Sequence, residues 1–277
     1  MTRLKTLDIA GISAELDRYD TELLNKTGCT LRGIACHAAG VEEKTIPDLI
    51  ASTKVAVIPV TCGQGVIEGF AETVQQITSH IGFNAFVTRH TDVAGLSEAL
   101  DKKADLIMLS DDDLFVAINI KSRRVVDNTP ATGKGYAAGL NLMTGGVKDK
   151  RVLVIGCGPV GRSAAVDLVR LGFEVSVYDI KPECCQELAR EIKNSLNANI
   201  GIEKELNTAL LRHRCIIDAS PGAGIIHENH IARDTYISAP GMPSGLSTKA
   251  RVKISDRLLH DPLQIGVATM IVEAVKA

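Results

Sequence analysis

Apolar residues follow two rhythms along this chain: stripes at spacings of three and four, and short unbroken runs. In residues 8–27, Ile9, Ile12, Leu16, Tyr19, Leu23 and Leu24 fall on one stripe. This predicts an amphipathic helix with Asp8 as N-cap, ended near Gly28. A shorter helix over 41–52 is interrupted at Pro47, since proline has no N–H to give a helix interior. Unbroken runs rich in Val, Ile and Leu then predict strands at 54–60, 84–88 and 104–109, with a further strand at 114–120. Helical spacing fills 67–81 and 92–102 between them, and a helix rich in Ala, Leu and Gly follows over 134–143. Alternating strands and helices make the first half an α/β layer with a mainly parallel sheet.

From Arg151 the same alternation resumes: strand 151–155, helix 162–171, strand 174–178, helix 183–196, a short strand 198–202, helix 203–212 and a buried strand 215–219. An apolar run at 236–239 and a closing helix over 262–275 complete the chain. The expected fold class is α/β in two domains. These are an N-terminal α/β domain over 1–146 and a C-terminal α/β domain over 147–277 with a mainly parallel sheet. The boundary falls at Gly145-Gly146 and the following Lys148-Asp149-Lys150, and the closing helix is free to pack back on the first domain.

Between strand 151–155 and the next helix stands Gly156-Cys157-Gly158-Pro159-Val160-Gly161, a G-x-G-x-x-G turn. Its first glycine permits a tight turn, its second lets backbone N–H groups approach a pyrophosphate, and its third lets the helix lie close on the sheet. Asp179, 18 residues past Gly161, is placed to accept from both ribose hydroxyls of an adenosine. It would repel a 2′-phosphate, so the expected cofactor is NAD, which makes 147–277 a C-terminal Rossmann-type NAD-binding domain and leaves 1–146 as the N-terminal α/β substrate domain. Two Pro-Gly turns, Ser220-Pro221-Gly222 and Pro240-Gly241, fall where a nicotinamide would rest. The first half has no such glycine turn.

Composition narrows the class. The 277 residues hold 31 Lys and Arg against 33 Asp and Glu, a formal charge of -2 that suggests neither a nucleic-acid partner nor an anionic membrane. No apolar run nears the roughly 20 residues of a membrane span. Asp8, Glu15, Asp17, Asp20 and Glu22 occupy the place of a signal peptide, so a soluble, cytoplasmic protein is expected. Seven cysteines form no C-x-x-C pair or spaced ligand set, which predicts free buried thiols and no metal. His227 and His230 are not H-E-x-x-H and are read as a solvated helix start.

In open parallel sheets ligands bind beyond the carboxyl ends of strands. Those ends are Thr61-Cys62-Gly63 and Ser110-Asp111-Asp112-Asp113. Asp111 is either a solvated turn residue or a carboxylate that binds a substrate ammonium and assists its deprotonation. Asn128, before Thr129-Pro130, is either a turn residue or a ligand, and Asp127 competes for both roles. Lys134 is read as opening a helix, with catalytic acid as the alternative. The turn at 61–65 precedes a helix and could hold a carboxylate through its N–H groups. Cys62 is disfavoured as a nucleophile for want of a histidine nearby in sequence.

Four stretches, IPVTCGQGVIEGF (58–70), LSDDDLFVAIN (109–119), VVDN (125–128) with GKGYAAG (133–139), and VIGCGPVG (154–161), together resemble the PylD family of pyrrolysine-forming dehydrogenases. The resemblance runs from Lys54 to the closing helix. It implies NAD-dependent oxidation of the terminal amine of L-lysine-Nε-(3R)-3-methyl-D-ornithine to a semialdehyde, with ammonia release and cyclisation to pyrrolysine. It places Val60, Thr61, Ser110, Asp111 and Asn128 around that small-molecule substrate, with Asp111 and Asn128 fixing amine and carbonyl groups. Ile9 and Ile12, on the first apolar stripe, would close over it as a lid. Two other readings remain: an NAD-dependent dehydrogenase of a simpler amino acid or a hydroxy acid, and a non-catalytic NAD-binding regulator. A homodimer is compatible with all three.

Overall fold

A computed structural model describes residues 4–63, 67–145 and 150–276. The expected turn at Gln64-Gly65, and the domain boundary at Gly146, Lys148 and Asp149, lie outside these residues.

The amino-terminal stripe forms two helices, α1 (Thr6–Ile9) and α2 (Ile12–Thr27), because Gly11 at φ 90° breaks it. Asp8 therefore sits inside α1, where its carboxylate accepts from the N–H of Lys5 at 2.7 Å, and does not serve as the N-cap. An unexpected helix, α3 (Leu31–Ala39), follows. Pro47 interrupts nothing: it is the first residue of α4 (Pro47–Ser52), where a missing N–H is harmless. Next come β1 (Lys54–Ile58), α5 (Phe70–His80), β2 (Asn84–Val87), α6 (Asp92–Asp101), β3 (Leu106–Ser110), β4 (Phe115–Asn119) and β5 (Arg124–Asp127). The sheet order is β2-β1-β3-β4-β5, and β4 alone runs opposite to its neighbours β3 and β5, so the expected mainly parallel sheet carries one reversed strand.

A long helix, α7 (Asn128–Met143), leads to the second sheet. There β6 (Arg151–Ile155), α8 (Pro159–Arg170), β7 (Glu174–Tyr178), α9 (Pro182–Leu196), β8 (Gly201–Ile202), α10 (Leu206–Arg212), β9 (Cys215–Asp218), β10 (Tyr236–Ser238), α11 (Thr248–Lys253) and β11 (Leu258–Leu259) precede α12 (Gln264–Val275). All six strands pair in parallel, in the order β11-β10-β9-β6-β7-β8. The strand expected at 198–202 shrinks to two residues.

Every residue of α12 is buried, and the helix packs on α3, α5, α7, β4 and β5. The end of the chain thus completes the core of its first half. Four of the seven cysteines are buried, Cys29 and Cys184 are half-buried and Cys62 is exposed. Among the described residues no helix is long and apolar enough to cross a membrane.

Candidate active site

Register brings the first-half candidates to one edge. Ile58 pairs with Leu109, Leu109 with Val116 and Val116 with Asp127. Val60 and Thr61, Ser110 and Asp111, and Asn128 each follow that row. At roughly 4.8 Å per strand the edge spans about 14 Å from β1 to β5, room for an elongated ligand.

Each side chain there is held differently. Thr61 donates its N–H and its hydroxyl to Asp92, which opens α6 in the left-handed region at φ 54°. Those donors hold the Asp92 carboxyl below its ordinary range. Asp111 is exposed, and its Oδ1 accepts from the N–H groups of Asp113 and Leu114, both at 2.8 Å. Both readings of Asp111 meet here: it builds the turn while Oδ2 has no hydrogen bond among the described residues. The two N–H donors hold its carboxyl below the usual range, so it stays ionised. An ionised carboxylate suits an ammonium and is a poor proton acceptor.

Asn128 is the first residue of α7, capped by Asp127, whose Oδ1 accepts from the N–H of Thr129 at 2.7 Å. Lys134 consequently lies well inside the helix and opens nothing. It pairs with Glu273 of α12 at 2.6 Å. The Asn128 Oδ1 is buried without a hydrogen-bond partner among the described residues, beside Gly266, where a Cβ would come within 3.0 Å of it. Leaving a buried carbonyl oxygen unpaired costs about 1–3 kcal/mol, so a donor from a ligand would offset a standing penalty. Ile9 and Ile12, by contrast, are 3% and 7% exposed within the apolar core, with α1 packed on α5.

The glycine turn has the expected form. Gly156 sits at φ 92°. A Cβ on Gly161 would collide with the Gly156 carbonyl, while one on Gly158 would meet nothing within 4 Å. Pro159 and Val160 form the first turn of α8, which therefore begins three residues earlier than the periodicity suggests, and its N-terminal N–H groups are the natural seat of a pyrophosphate. The open approach at Gly158 makes this cradle fit a dinucleotide. Asp179 follows β7, with Oδ2 accepting from the N–H of Cys157 at 2.7 Å and Oδ1 from that of Lys181 at 2.9 Å. It thus ties the glycine turn to the strand that carries it.

Ser220 and Pro221 follow β9, and Pro240 and Gly241 follow β10. The two turns touch: the Gly241 N–H donates to the Asp218 carbonyl at 2.9 Å, and a Cβ on Gly241 would strike the Ser220 carbonyl. The Asp218 carboxylate, fully buried, accepts from the Ser220 hydroxyl at 2.8 Å and the Gly245 N–H at 2.9 Å. Burial raises its pKa, opposed by these hydrogen bonds. Sequence reading missed this carboxylate, although an acid closing an apolar strand was a usable signal. It also missed His260, Asp261 and Gln264, which link β11 to α12.

One contact couples the two edges. A Cβ on Gly133 would strike the Val160 carbonyl and approach Ser163 Cβ to 2.7 Å and Ala164 N to 2.8 Å, and the Ser163 hydroxyl donates to the Pro130 carbonyl at 2.7 Å. The helix that begins at Asn128 is therefore in backbone contact with the helix that begins at the glycine turn. No group of three or more His, Cys, Asp or Glu among the described residues could hold a metal ion. His227 is exposed and caps a short 3₁₀ helix (Glu228–His230), as expected, whereas His230 at its end is buried, with its Nδ1 accepting from the His227 N–H.

Residues 8–126 match the N-terminal domain of pyrrolysine biosynthesis protein PylD, and residues 129–230 match the C-terminal domain of alanine dehydrogenase/PNT. The chain is 32% identical over 272 residues to the pyrrolysine synthase of Methanosarcina acetivorans, spanning 98% of both chains. It is also 32% identical to that of Methanosarcina barkeri, spanning 98% of this chain and 97% of the relative. Among solved structures, quinate dehydrogenase from Corynebacterium glutamicum in complex with NAD aligns with a TM-score of 0.54 at 16% identity, covering 80% of this chain and 92% of that one. Shikimate dehydrogenase from Aquifex aeolicus aligns at 0.52 and 18% identity, covering 80% and 90%. At such identities these two establish the shared fold.

Proposed function

The chain belongs to the PylD family of pyrrolysine biosynthesis proteins, and from that premise we propose that it is a pyrrolysine synthase. In this reading it oxidises the terminal amine of L-lysine-Nε-(3R)-3-methyl-D-ornithine with NAD. The resulting imine hydrolyses to a semialdehyde with loss of ammonia, and the aldehyde condenses with the α-amine to close the pyrroline ring. The observation that carries the reading is the 32% identity sustained over 98% of the chain, which includes the substrate edge as well as the glycine turn.

Residues 1–146 would supply the substrate side and residues 147–277 the cofactor side. Bound NAD supplies the hydride acceptor. Gly156, Gly158, Pro159, Val160 and Gly161 would seat its pyrophosphate, Asp179 its adenosine ribose, and Ser220, Pro221, Pro240 and Gly241 its nicotinamide end. The acid at 179 favours NAD over NADP because a 2′-phosphate would meet a carboxylate. On the substrate side, ionised Asp111 holds the ammonium end, Asn128 offers its unpaired Oδ1 to a substrate N–H and its amide N–H to a carbonyl, and Val60, Thr61 and Ser110 line the edge between. Ile9 and Ile12 would reach the long substrate as a lid only if α1 and the start of α2 left the apolar core that buries them.

The test supplies NAD with the lysine–methylornithine conjugate, with ornithine and with hydroxy acids, and follows NADH together with product mass. NADH and the mass of pyrrolysine from the conjugate alone are expected. Turnover of a hydroxy acid with none of the conjugate would overturn the proposal.

A further inference from the structure

Amine oxidation imposes a requirement that the substrate edge does not meet. At neutral pH an alkylamine is an ammonium without a lone pair, and the C=N bond cannot form until one proton has left nitrogen. Asp111 is suited to hold that ammonium, but two N–H donors lower its proton affinity. A proton acceptor is needed near the turn assigned to the nicotinamide.

The end of β11 provides one. Ser238 pairs with Leu259, and the N–H of Ala239 donates to the Leu259 carbonyl at 2.8 Å. The carbonyl of the same Ala239 lies 2.7 Å from Nδ1 of His260. A carbonyl only accepts, so Nδ1 bears the proton and, in the neutral ring, Nε2 bears the lone pair. Nε2 has no hydrogen-bond partner among the described residues, and His260 is half-buried. Its anchor, Ala239, runs directly into Pro240–Gly241. On its other side the chain passes through Asp261 to α12, whose Gly266 lies against Asn128. His260 is thus tied to the strand end that runs into Pro240–Gly241 and precedes the helix whose Gly266 meets Asn128.

The titratable groups around the ring are Asp218 of β9 and the adjacent Asp261, both within electrostatic range of it. Asp261 is itself occupied. Its Oδ2 accepts from the Tyr19 hydroxyl of α2 at 2.6 Å, its Oδ1 accepts from the Leu263 N–H, and its backbone is bound by Tyr136 of α7.

Resting on the amine-oxidation reading above, we infer that His260 is the base of the reaction. Its Nε2 takes one proton from the substrate ammonium, and the N–H electron pair stays on nitrogen. That pair becomes the second C–N bond as the adjacent C–H bond breaks, with its electrons passing as hydride to NAD, the oxidant of the proposed reaction. His260 is left as imidazolium, still donating through Nδ1 to Ala239, and returns its proton to solvent.

Two variants separate this role from a merely structural one. His260→Asn retains an N–H donor near the Nδ1 position and lacks Nε2, whereas His260→Gln places its amide near Nε2. With the conjugate and NAD, both should lose at least about 100-fold in kcat. KM for the conjugate and the affinity for NAD should stay within about threefold. Nitrogen-15 spectra of the wild-type imidazoles provide a readout independent of turnover. His260 should show an unprotonated Nε2 that shifts when the conjugate is added without NAD. An Asn variant within threefold of wild-type kcat, or a ring found with its proton on Nε2, would overturn this role while leaving the amine reading intact. A wild type that leaves the conjugate unoxidised would instead overturn the reading and this role with it.

Discussion

Replacing Gly133 with alanine tests whether the contact between α7 and α8 sets catalytic geometry. The new Cβ would lie 2.7 Å from Ser163 Cβ and 2.8 Å from Ala164 N, against an ordinary contact that begins at 3.4 Å. The Val160 carbonyl oxygen would lie nearer still, so the helices must part by more than about 0.7 Å, and overpacking of this kind costs about 1–3 kcal/mol. Alanine recovers about 1 kcal/mol of helix propensity over glycine. The net effect on stability lies between about 0 and 2 kcal/mol, or a fall in Tm of at most roughly 8 °C at 2–4 °C per kcal/mol. Catalysis should suffer more. The displacement separates Asn128, at the start of α7, from the glycine turn at the start of α8, and a 1 Å misplacement can cost about 100-fold in rate. The assay pairs thermal unfolding with steady-state kinetics. The expected Gly133→Ala enzyme is folded, slightly less stable and slower in kcat by tenfold or more, on the order expected for misplaced groups. An enzyme with wild-type kcat would refute the reasoning, because the two edges would then not depend on that contact.

Three further outcomes follow from individual carboxylates. Asp179→Ser removes the acceptor of the Cys157 N–H together with the charge at the ribose site. It should weaken NAD binding by roughly tenfold, about 1.4 kcal/mol, and raise the ratio of NADP to NAD affinity in a fluorescence titration; an unchanged ratio would count against the assignment. Asp111→Asn retains an oxygen for the turn at 111–114 but removes the charge. It should leave Tm nearly unchanged while KM for the conjugate rises about tenfold or more, as expected for a lost charge-assisted contact; unaltered KM would remove Asp111 from ammonium binding. The Glu98 carboxyl is pushed down to about 2, chiefly by Lys102 and by the backbone N–H of His90. A depressed folded-state pKa means stability present above the ordinary glutamate range near 4.5 and lost as pH falls toward 2. The urea midpoint of Glu98→Gln should accordingly fall less between pH 5 and pH 3 than that of the wild type.

The unit from β6 to β7 was legible because its residue types have few alternatives: an apolar run, glycines where a Cβ would collide, and an acid at the strand end. The edge proposed to meet the substrate was legible at Thr61, Ser110 and Asp111 from strand ends alone, whereas Asn128 came to it through the family resemblance. Other features were hidden for identifiable reasons. Helix α3, LRGIACHAA, is buried on most of its surface and so shows no polar face to mark its period. The start of α7 was set at Lys134, six residues too late, because Asn128 before Thr129-Pro130 read as a turn that ran to Gly133, while Gly135 fell inside the expected helix. The glycines are there because α8 presses on the first while Thr269 and Ile265 press on the second. The antiparallel direction of β4 could have been read, because residues 111–114 are too few for a parallel crossover. His260 gave no periodic or motif signal, and only the pairing of β10 with β11 brings it to the site.

The buried helix α12 also bears on how the protein is made. A chain leaves the ribosome from its amino terminus, and α12 follows the whole second sheet in sequence. Until α12 emerges, α3, α5, β4 and β5 lack the helix that fills the space among them. The first half must wait, with apolar surface uncovered, while the second is synthesised. A chain that stops early leaves that surface open to chaperones and proteases. The core of the first half therefore closes only once α12 has been made, and chains that stop before it are marked by their own exposed interior.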